Sequence, residues 1–201
     1  MELVFATNNR HKLAEIAGML DSRFRVLGLA DIGCTEELPE EGETLEANAS
    51  QKAFHLFHRY GYDCFADDTG LEVEALGGEP GVYSARYAGP GKDSGENMAL
   101  LLQKMAEINN RRARFRTVIS LVRGGEELLF EGIAEGEILT SGRGSGGFGY
   151  DPVFRPAGYD LSFAELPAAE KNRISHRGKA FRKMVAYLLG EPEIPADTIT
   201  M

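Results

Sequence analysis

The chain has 201 residues, of which 43% are hydrophobic and 26% charged, as in an ordinary globular protein. This length is enough for a single domain, residues 1–201, with a substantial buried core. The formal net charge of -9 argues against a protein that wraps nucleic acid or lies on an anionic membrane. An anionic substrate would therefore need local Lys and Arg side chains and a metal ion.

The two cysteines, Cys34 and Cys64, lack the spacing of metal ligands and are too few for a disulfide framework. Residues 1–6 lack a basic leader region, and no apolar run approaches membrane-spanning length. We therefore expect a cytoplasmic protein that binds neither nucleic acid nor a membrane.

The chain opens with a predicted strand at residues 3–6, a polar loop, and an amphipathic helix whose apolar positions recur from Leu13 to Leu20. Lys12 falls in the first turn of this helix, where a cation opposes the helix dipole. A bound anion such as phosphate at the helix start would explain the position. A solvated surface lysine is the alternative.

A second strand is predicted at residues 25–29. An acidic run follows and leads into a predicted helix over residues 44–60, for which Thr44 is a suitable N-cap. Asn48 and Lys52 are four residues apart and therefore share one face of this helix.

A short predicted strand at residues 64–66 ends at two adjacent carboxylates, Asp67 and Asp68, and an extended segment continues over residues 71–76. Two carboxylates at a strand end can share a divalent cation or orient a water molecule, and their repulsion requires positive charge nearby. The alternative is an ordinary turn, because Asp, Thr and Gly all favour turns.

The second half of the chain adds a helix over residues 93–105 and an antiparallel hairpin formed by residues 115–122 and 128–134. The sheet is therefore expected to be mixed. A final helix is predicted to start after Ser175 and to stop at Gly190.

Two further stretches suit a ligand. Residues 141–152 are rich in glycine, which lets the backbone approach a ligand closely, and Phe148 argues against a mere flexible linker. Basic side chains gather between Lys171 and Lys179, with His176 and Arg177 in the first turn of the last helix. They suit an anion or a base edge, and the alternative is a solvated face.

These clusters complement one another. Carboxylates at Glu40, Asp67 and Asp68 suit Mg²⁺, the basic side chains suit phosphoryl oxygens, and Phe148 suits a stacked base. The residues alone therefore predict a Mg²⁺-dependent nucleotide phosphohydrolase.

Five motifs in chain order resemble those of the non-canonical purine nucleoside triphosphate pyrophosphatases, the inosine/xanthosine triphosphatases. They are residues 5–9 with Lys12, 66–71, 77–87, 146–152 and 175–178. The resemblance implies an α/β unit of two lobes around a long mixed sheet with flanking helices, and an active-site cleft between the lobes. It also implies a homodimer that uses Mg²⁺ to hydrolyse inosine, deoxyinosine and xanthosine triphosphates (ITP, dITP and XTP) to the monophosphate and pyrophosphate.

By position, the resemblance implies Asp68 as the proton acceptor and Glu40 with Asp68 as metal ligands, although the adjacent Glu41 leaves that register open. Which of Asp67 and Asp68 is the base also stays open. The positions implied for substrate binding are Thr7, Asn8, Asn9, Arg10, His11, Lys12, Thr69, Phe148, Gly149, Tyr150, Asp151, Lys171, His176 and Arg177. Lys52 is expected to join Lys12 in stabilising the departing charge.

Selectivity for ITP over ATP requires a group that distinguishes a 6-oxo from a 6-amino purine, and Arg177 or His176 could donate to the 6-oxo oxygen. Two other functions compete with this hypothesis: a pyrophosphatase of another fold for modified pyrimidine nucleotides, and a nucleotide-binding regulator without turnover. A panel of triphosphates with pyrophosphate detection separates all three.

Overall fold

The computed structural model describes residues 1–19 and 23–191, in which a seven-stranded β-sheet is flanked by five α-helices. The strands are β1 (Glu2–Phe5), β2 (Arg25–Leu27), β3 (Cys64–Val73), β4 (Pro80–Gly81), β5 (Arg112–Arg123), β6 (Glu126–Ile138) and β7 (Phe154–Pro156). The helices are α1 (Arg10–Ala17), α2 (Leu45–Tyr60), α3 (Ser94–Lys104), α4 (Ala168–Ile174) and α5 (His176–Leu189). Over this part of the chain, no helix has both the length and the apolar character needed to cross a membrane.

The sheet is mixed, as expected. Its strand order is β2-β1-β3-β5-β6-β7, with β4 pairing separately with β3. β1 runs parallel to both β2 and β3, whereas β3, β5, β6 and β7 pair antiparallel in turn. β5 pairs with β3 along the full length of β3, and β6 extends the sheet on the other side of β5.

Capping residues set the bounds of the two helices that flank the centre of the sheet. The Thr44 hydroxyl accepts from the amide of Ala47, and Gly61 ends α2 in the left-handed conformation. Ser175 caps α5 in the same way, and Gly190 terminates it. Both helices therefore confirm the predictions made from their caps.

Some elements differ from the sequence-based expectations. Ala17, expected on the apolar face of α1, is exposed, while Leu20 lies outside the described residues. The seven-residue helix α4 was not predicted, because two turns without a capping side chain give no clear period. The segment after Gly190, predicted to be loosely packed, lies outside the described residues from position 192 onward.

The main hydrophobic clusters fall into two groups, at opposite ends of β3, and these define two lobes. In the first lobe, β1 and residues 64–66 of β3 pack against α1 and α5 on one face and against α2 on the other. In the second lobe, Leu71 and Val73 of β3 pack against α3 and against aromatic side chains that follow β6. Residues 67–70 belong to neither core. The expected two-lobed α/β architecture is therefore confirmed.

Asp67 and Asp68 lie in the middle of a ten-residue strand, so the prediction that they follow a strand end was wrong. Unbroken pairing with β5, from Cys64 to Val73, keeps this stretch extended despite its turn-forming residues. On its other edge, β3 pairs with β1 only as far as Phe65, and pairing with β4 starts at Leu71. Residues 67–70 thus have a strand on one side and an open edge on the other.

We predict that Gly132→Ala destabilises the fold by about 1–3 kcal/mol, because it overpacks the contact between β6 and α5. A Cβ atom on Gly132 would lie 2.1 Å from the carbonyl oxygen of His176 and 2.5 Å from the amide nitrogen of Ala180. Urea unfolding measures the effect. Gly91→Ala is the control, since no atom lies within 4 Å of its added Cβ. Equal stability of the two variants would contradict this close packing.

Candidate active site

A cleft of about 430 Å³ opens at the gap beside residues 67–70 of β3. It lies between the lobes, as expected, and brings together residues from distant parts of the chain. The predicted site residues that line it are Thr7, Asn8, Asn9, Lys12, Glu40, Lys52, Asp68, Thr69, Phe148, Gly149, Tyr150, Asp151, Lys171, His176 and Arg177. Glu41 is exposed and does not line the cleft, whereas Glu40 does. This favours Glu40 over Glu41 as the candidate metal ligand.

A larger groove, of about 790 Å³, lies at the far end of the sheet. Its charges are matched in surface pairs such as Arg114 with Glu72 and Arg155 with Glu137. It contains none of the predicted site residues. The smaller cleft is therefore the candidate active site.

Two predicted residues, Arg10 and His11, do not line the cleft. Arg10 begins α1, and the His11 ring stacks on Phe148 with 5.1 Å between the ring centroids. The Asn9 side chain caps the helix by accepting from the amides of His11 and Lys12. These two amides at the helix start, where an anion was expected, are thus already paired with Asn9.

Asp67 is the most deeply buried carboxylate of the site, with 1% of its surface exposed. It accepts from Lys12 Nζ at 2.8 Å and from Arg177 Nε at 3.0 Å. Burial by itself would raise the pKa of Asp67, but Lys12, Arg177 and Lys52 outweigh it and hold the pKa well below its usual value. Asp67 is therefore a fixed anion that anchors the starts of α1 and α5.

Arg177 is buried, and three of its N–H groups bind within the protein. Its guanidinium donates from Nε to Asp67, from Nη1 to Glu15 and, at 3.1 Å, from Nη2 to Thr69 Oγ1. Lys12 and Arg177, the cations at the starts of α1 and α5, were expected to bind phosphate. In this structure they are paired with carboxylates of the protein itself.

Asp68 points to the opposite face of the strand, because successive side chains alternate. It accepts from Asn48 Nδ2 and from the amide of Thr69, both at 3.0 Å, while Lys52 Nζ lies 4.0 Å from its Oδ1. Burial raises the pKa of Asp68 despite the opposing effect of Lys52 and Lys12. The two neighbouring carboxylates therefore differ: Asp67 is locked in ion pairs, and Asp68 is the more basic group.

Lys52 closes the open edge of β3. Its ammonium donates to Glu40 Oε1 at 2.5 Å and to the backbone carbonyl of Asp67 at 2.8 Å. Burial lowers the pKa of Lys52, but Asp68, Glu40 and Asp67 outweigh this and raise it above its usual value. The side chain is thus a permanent cation between the two candidate metal ligands.

Hydrogen bonds of Asp151 hold the glycine-rich loop where its residues 148–151 line the cleft. Asp151 Oδ2 accepts from the amide of Phe148 at 2.7 Å and from Lys171 Nζ at 2.6 Å. Lys171 Nζ also lies 5.0 Å from the centroid of the Phe148 ring. Tyr150 donates its hydroxyl proton to the carbonyl of Ser84 and packs in the core of the second lobe. These contacts fix Phe148 at the rim of the cleft, with Tyr150 behind it.

His176 stacks on Phe115, with ring centroids 4.5 Å apart. Burial, with Arg177 and Lys171 nearby, lowers the pKa of His176 well below its usual value, so the imidazole is neutral at neutral pH. Within residues 1–19 and 23–191, its buried Nδ1 atom has no hydrogen-bond partner.

Sequence reasoning missed Glu15 altogether. Its carboxylate accepts from Lys171 Nζ at 2.6 Å and also from Arg177, and so joins α1 to α4 and α5. Its place three residues after Lys12 put it on the same helix face, which was the available signal. Asn48 was recognised as sharing a face with Lys52, but its bond to Asp68 was not foreseen.

Two carboxylates of the cleft, Glu40 and Asp68, are available as ligands for a divalent metal ion. No group of three or more carboxylate, imidazole or thiol ligands gathers anywhere in the described residues. Glu40 and Asp68, however, lie on either side of Lys52. Mg²⁺ is commonly held by one or two carboxylates together with water and substrate phosphates, and the donor set matches that pattern.

Comparison with known proteins gives a consistent result. The family model of the Ham1 family matches residues 3–187. The chain is 53% identical to a dITP/XTP pyrophosphatase of Flavobacterium johnsoniae over 188 residues, which cover 94% of this chain and 98% of the relative.

Solved structures agree with that match. The Ham1 protein of Staphylococcus aureus is similar with a TM-score of 0.86 at 38% identity, covering 96% of this chain and 100% of that chain. A nucleoside-triphosphatase / dITP/XTP pyrophosphatase from Mycobacterium abscessus is similar with a TM-score of 0.74 at 41% identity, covering 92% and 99%.

We predict that Asp67→Asn lowers the free energy of unfolding by roughly 3–5 kcal/mol, because it leaves Lys12 and Arg177 buried without their shared anion. Urea unfolding at neutral pH measures the loss. The control is Asp160→Asn, which changes an exposed carboxylate. If both variants unfolded at the same denaturant concentration, Asp67 would not be the anchor of this cluster.

Proposed function

This chain belongs to the Ham1 family, and on that premise we propose that it hydrolyses non-canonical purine nucleoside triphosphates. The substrates are ITP, dITP and XTP, and the products are the nucleoside monophosphate and pyrophosphate. One observation carries the proposal. A single cleft is lined by Lys12, Lys52 and Asp68, which suit a triphosphate, and by Phe148 and His176, which suit a base.

We propose Glu40 and Asp68 as the ligands of a Mg²⁺ ion. Three cations of the cleft are already paired with carboxylates: Lys12 with Asp67, Lys52 with Glu40, and Lys171 with Asp151. Arg86 and Lys92 also line the cleft, but two further cations do not balance the charge of a triphosphate. A bound Mg²⁺ supplies charge neutralisation at the phosphate oxygens.

Asp68 is the proposed proton acceptor. Asp67 is not available for this role, because both of its carboxylate oxygens accept from Lys12 or Arg177, whereas Asp68 lines the cleft. Asp68 takes a proton from water as the water oxygen bonds to the α-phosphorus, and the bond from that phosphorus to the bridging oxygen breaks. Pyrophosphate departs with that oxygen and its electron pair, and Lys12 and Lys52 stabilise the developing charge.

Base selectivity is assigned to His176 and Arg177. A donor facing position 6 of the purine pairs with the oxo group of hypoxanthine or xanthine and meets the amino group of adenine unfavourably. Arg177 uses three of its five N–H groups inside the protein, which leaves two. His176 lines the same cleft and precedes Arg177 directly, which supports a shared role in contacting the base.

We further propose a homodimer that acts in the cytoplasm. Both cysteines, Cys34 and Cys64, are buried and unpaired, as suits a reducing compartment. The net charge of -9 supports a small-molecule substrate over nucleic acid or an anionic membrane.

We predict that the protein releases pyrophosphate from ITP, dITP and XTP in the presence of Mg²⁺, and releases far less from ATP and GTP. Asp68→Asn should lower ITP turnover by at least about 100-fold, because it removes the proton acceptor. The same variant should still bind ITP in equilibrium measurements. Asp160→Asn is the control and should keep its activity.

Near-normal turnover by Asp68→Asn would contradict the assignment of the base. Pyrophosphate release from modified pyrimidine nucleotides instead of purines would support a different pyrophosphatase. ITP binding with no turnover of any triphosphate would favour a regulatory binding protein.

We predict that Glu40→Gln raises the Mg²⁺ concentration needed for half-maximal activity by about 10-fold or more, since one of two charged ligands is lost. A Mg²⁺ titration of ITP hydrolysis, started from chelator-treated protein, measures this. Glu41→Gln is the matched control and should titrate like the wild type. A larger shift for Glu41→Gln than for Glu40→Gln would reassign the ligand to Glu41.

A further inference from the structure

A buried pair of hydroxyl groups lies beneath the cleft. Thr69 on β3 pairs directly with Thr117 on β5, and their Oγ1 atoms are 2.6 Å apart. Thr117 is completely buried and does not line the cleft, whereas Thr69 does. Thr117 is thus placed to act on a ligand only through Thr69.

The direction of the hydrogen bond follows from the available donors and acceptors. In the described part of the chain, the Thr117 hydroxyl has Thr69 as its one hydrogen-bond partner. If Thr117 accepted this bond, its own proton would be buried without an acceptor, at a cost in free energy. Thr117 therefore donates, and Thr69 accepts.

Thr69 then has both of its lone pairs occupied, one by Thr117 and one by Arg177 Nη2 at 3.1 Å. Its own proton must point elsewhere. The acceptor available within the protein is Asp67 Oδ2 at 3.4 Å, a long contact to an oxygen that already accepts from Arg177 Nε at 3.0 Å. An anionic phosphate oxygen in the cleft would be a better acceptor.

We propose that Thr117 is a positioning residue that makes Thr69 a hydrogen-bond donor to a phosphate oxygen of the bound nucleotide. This inference rests on the proposed function, because it requires a nucleotide in the cleft. It assigns a role to a residue that has no contact with the ligand itself.

The sheet is built to hold this arrangement. Thr69, Thr117 and Gly132 form one row across β3, β5 and β6. Because Gly132 has no side chain, the first turn of α5 can lie directly against the row. That approach lets Arg177 reach Thr69, while the pairing of β3 with β5 places Thr117 beside it.

The test is a double-mutant cycle read out by ITP binding, with unfolding measured for every variant. Thr117→Val has nearly the same shape but no donor, and it should weaken ITP binding by about 5- to 10-fold. Thr117→Ala removes the same donor without a bulky side chain and should give the same loss. Thr117→Ser keeps the hydroxyl and should bind within about twofold of the wild type. In a Thr69→Val background, Thr117→Val should have no further effect.

Several results would overturn the inference: unchanged ITP binding by Thr117→Val, an equal loss in Thr117→Ser, or the same loss in the Thr69→Val background. A loss that merely followed the unfolding midpoint would also overturn it, since that is the behaviour of a structural residue. Pyrophosphate release by the wild type is measured separately. ITP binding without turnover would overturn the proposed function. The double-mutant cycle could still be interpreted in that case, because it is measured by ITP binding.

Discussion

The ion pairs of Asp67 hold the active-site region together. One buried carboxylate contacts Lys12 from α1 and Arg177 from α5, and its backbone carbonyl accepts from Lys52 of α2. Three helices from distant parts of the chain thus converge on one residue of the central strand. Because breaking a buried ion pair leaves an uncompensated charge, this arrangement strongly favours one relative placement of the helices.

The alternation of a β-strand explains how two adjacent carboxylates acquire different properties. Asp67 and Asp68 point to opposite faces of β3, toward α1 and α5 in one case and toward α2 in the other. On the first face, cations neutralise the Asp67 carboxylate. On the second face, the side-chain amide of Asn48 orients the Asp68 carboxylate, and burial raises the pKa of Asp68. A single pair of residues therefore combines a structural anchor with a candidate base.

Much of this organisation could be predicted from local sequence. Thr44 and Ser175 mark the starts of α2 and α5, and Gly61 and Gly190 mark their ends, because caps act through neighbouring residues alone. The continuity of β3 could not be predicted, since its turn-forming residues are overridden by pairing with β5, about fifty residues later. The contacts of Glu15 and Thr117 likewise depend on residues far away in sequence, and the spacing of Glu15 from Lys12 shows a shared helix face but not the partners.

The open edge of β3 also bears on solubility. An unpaired strand edge presents backbone donors and acceptors that can recruit a strand from another molecule and start aggregation. In this protein the edge between β1 and β4 is guarded by a buried lysine on the Asp67 carbonyl and by ionised side chains around it. The charged residues that suit the cleft to a nucleotide therefore also keep this edge from pairing with foreign strands.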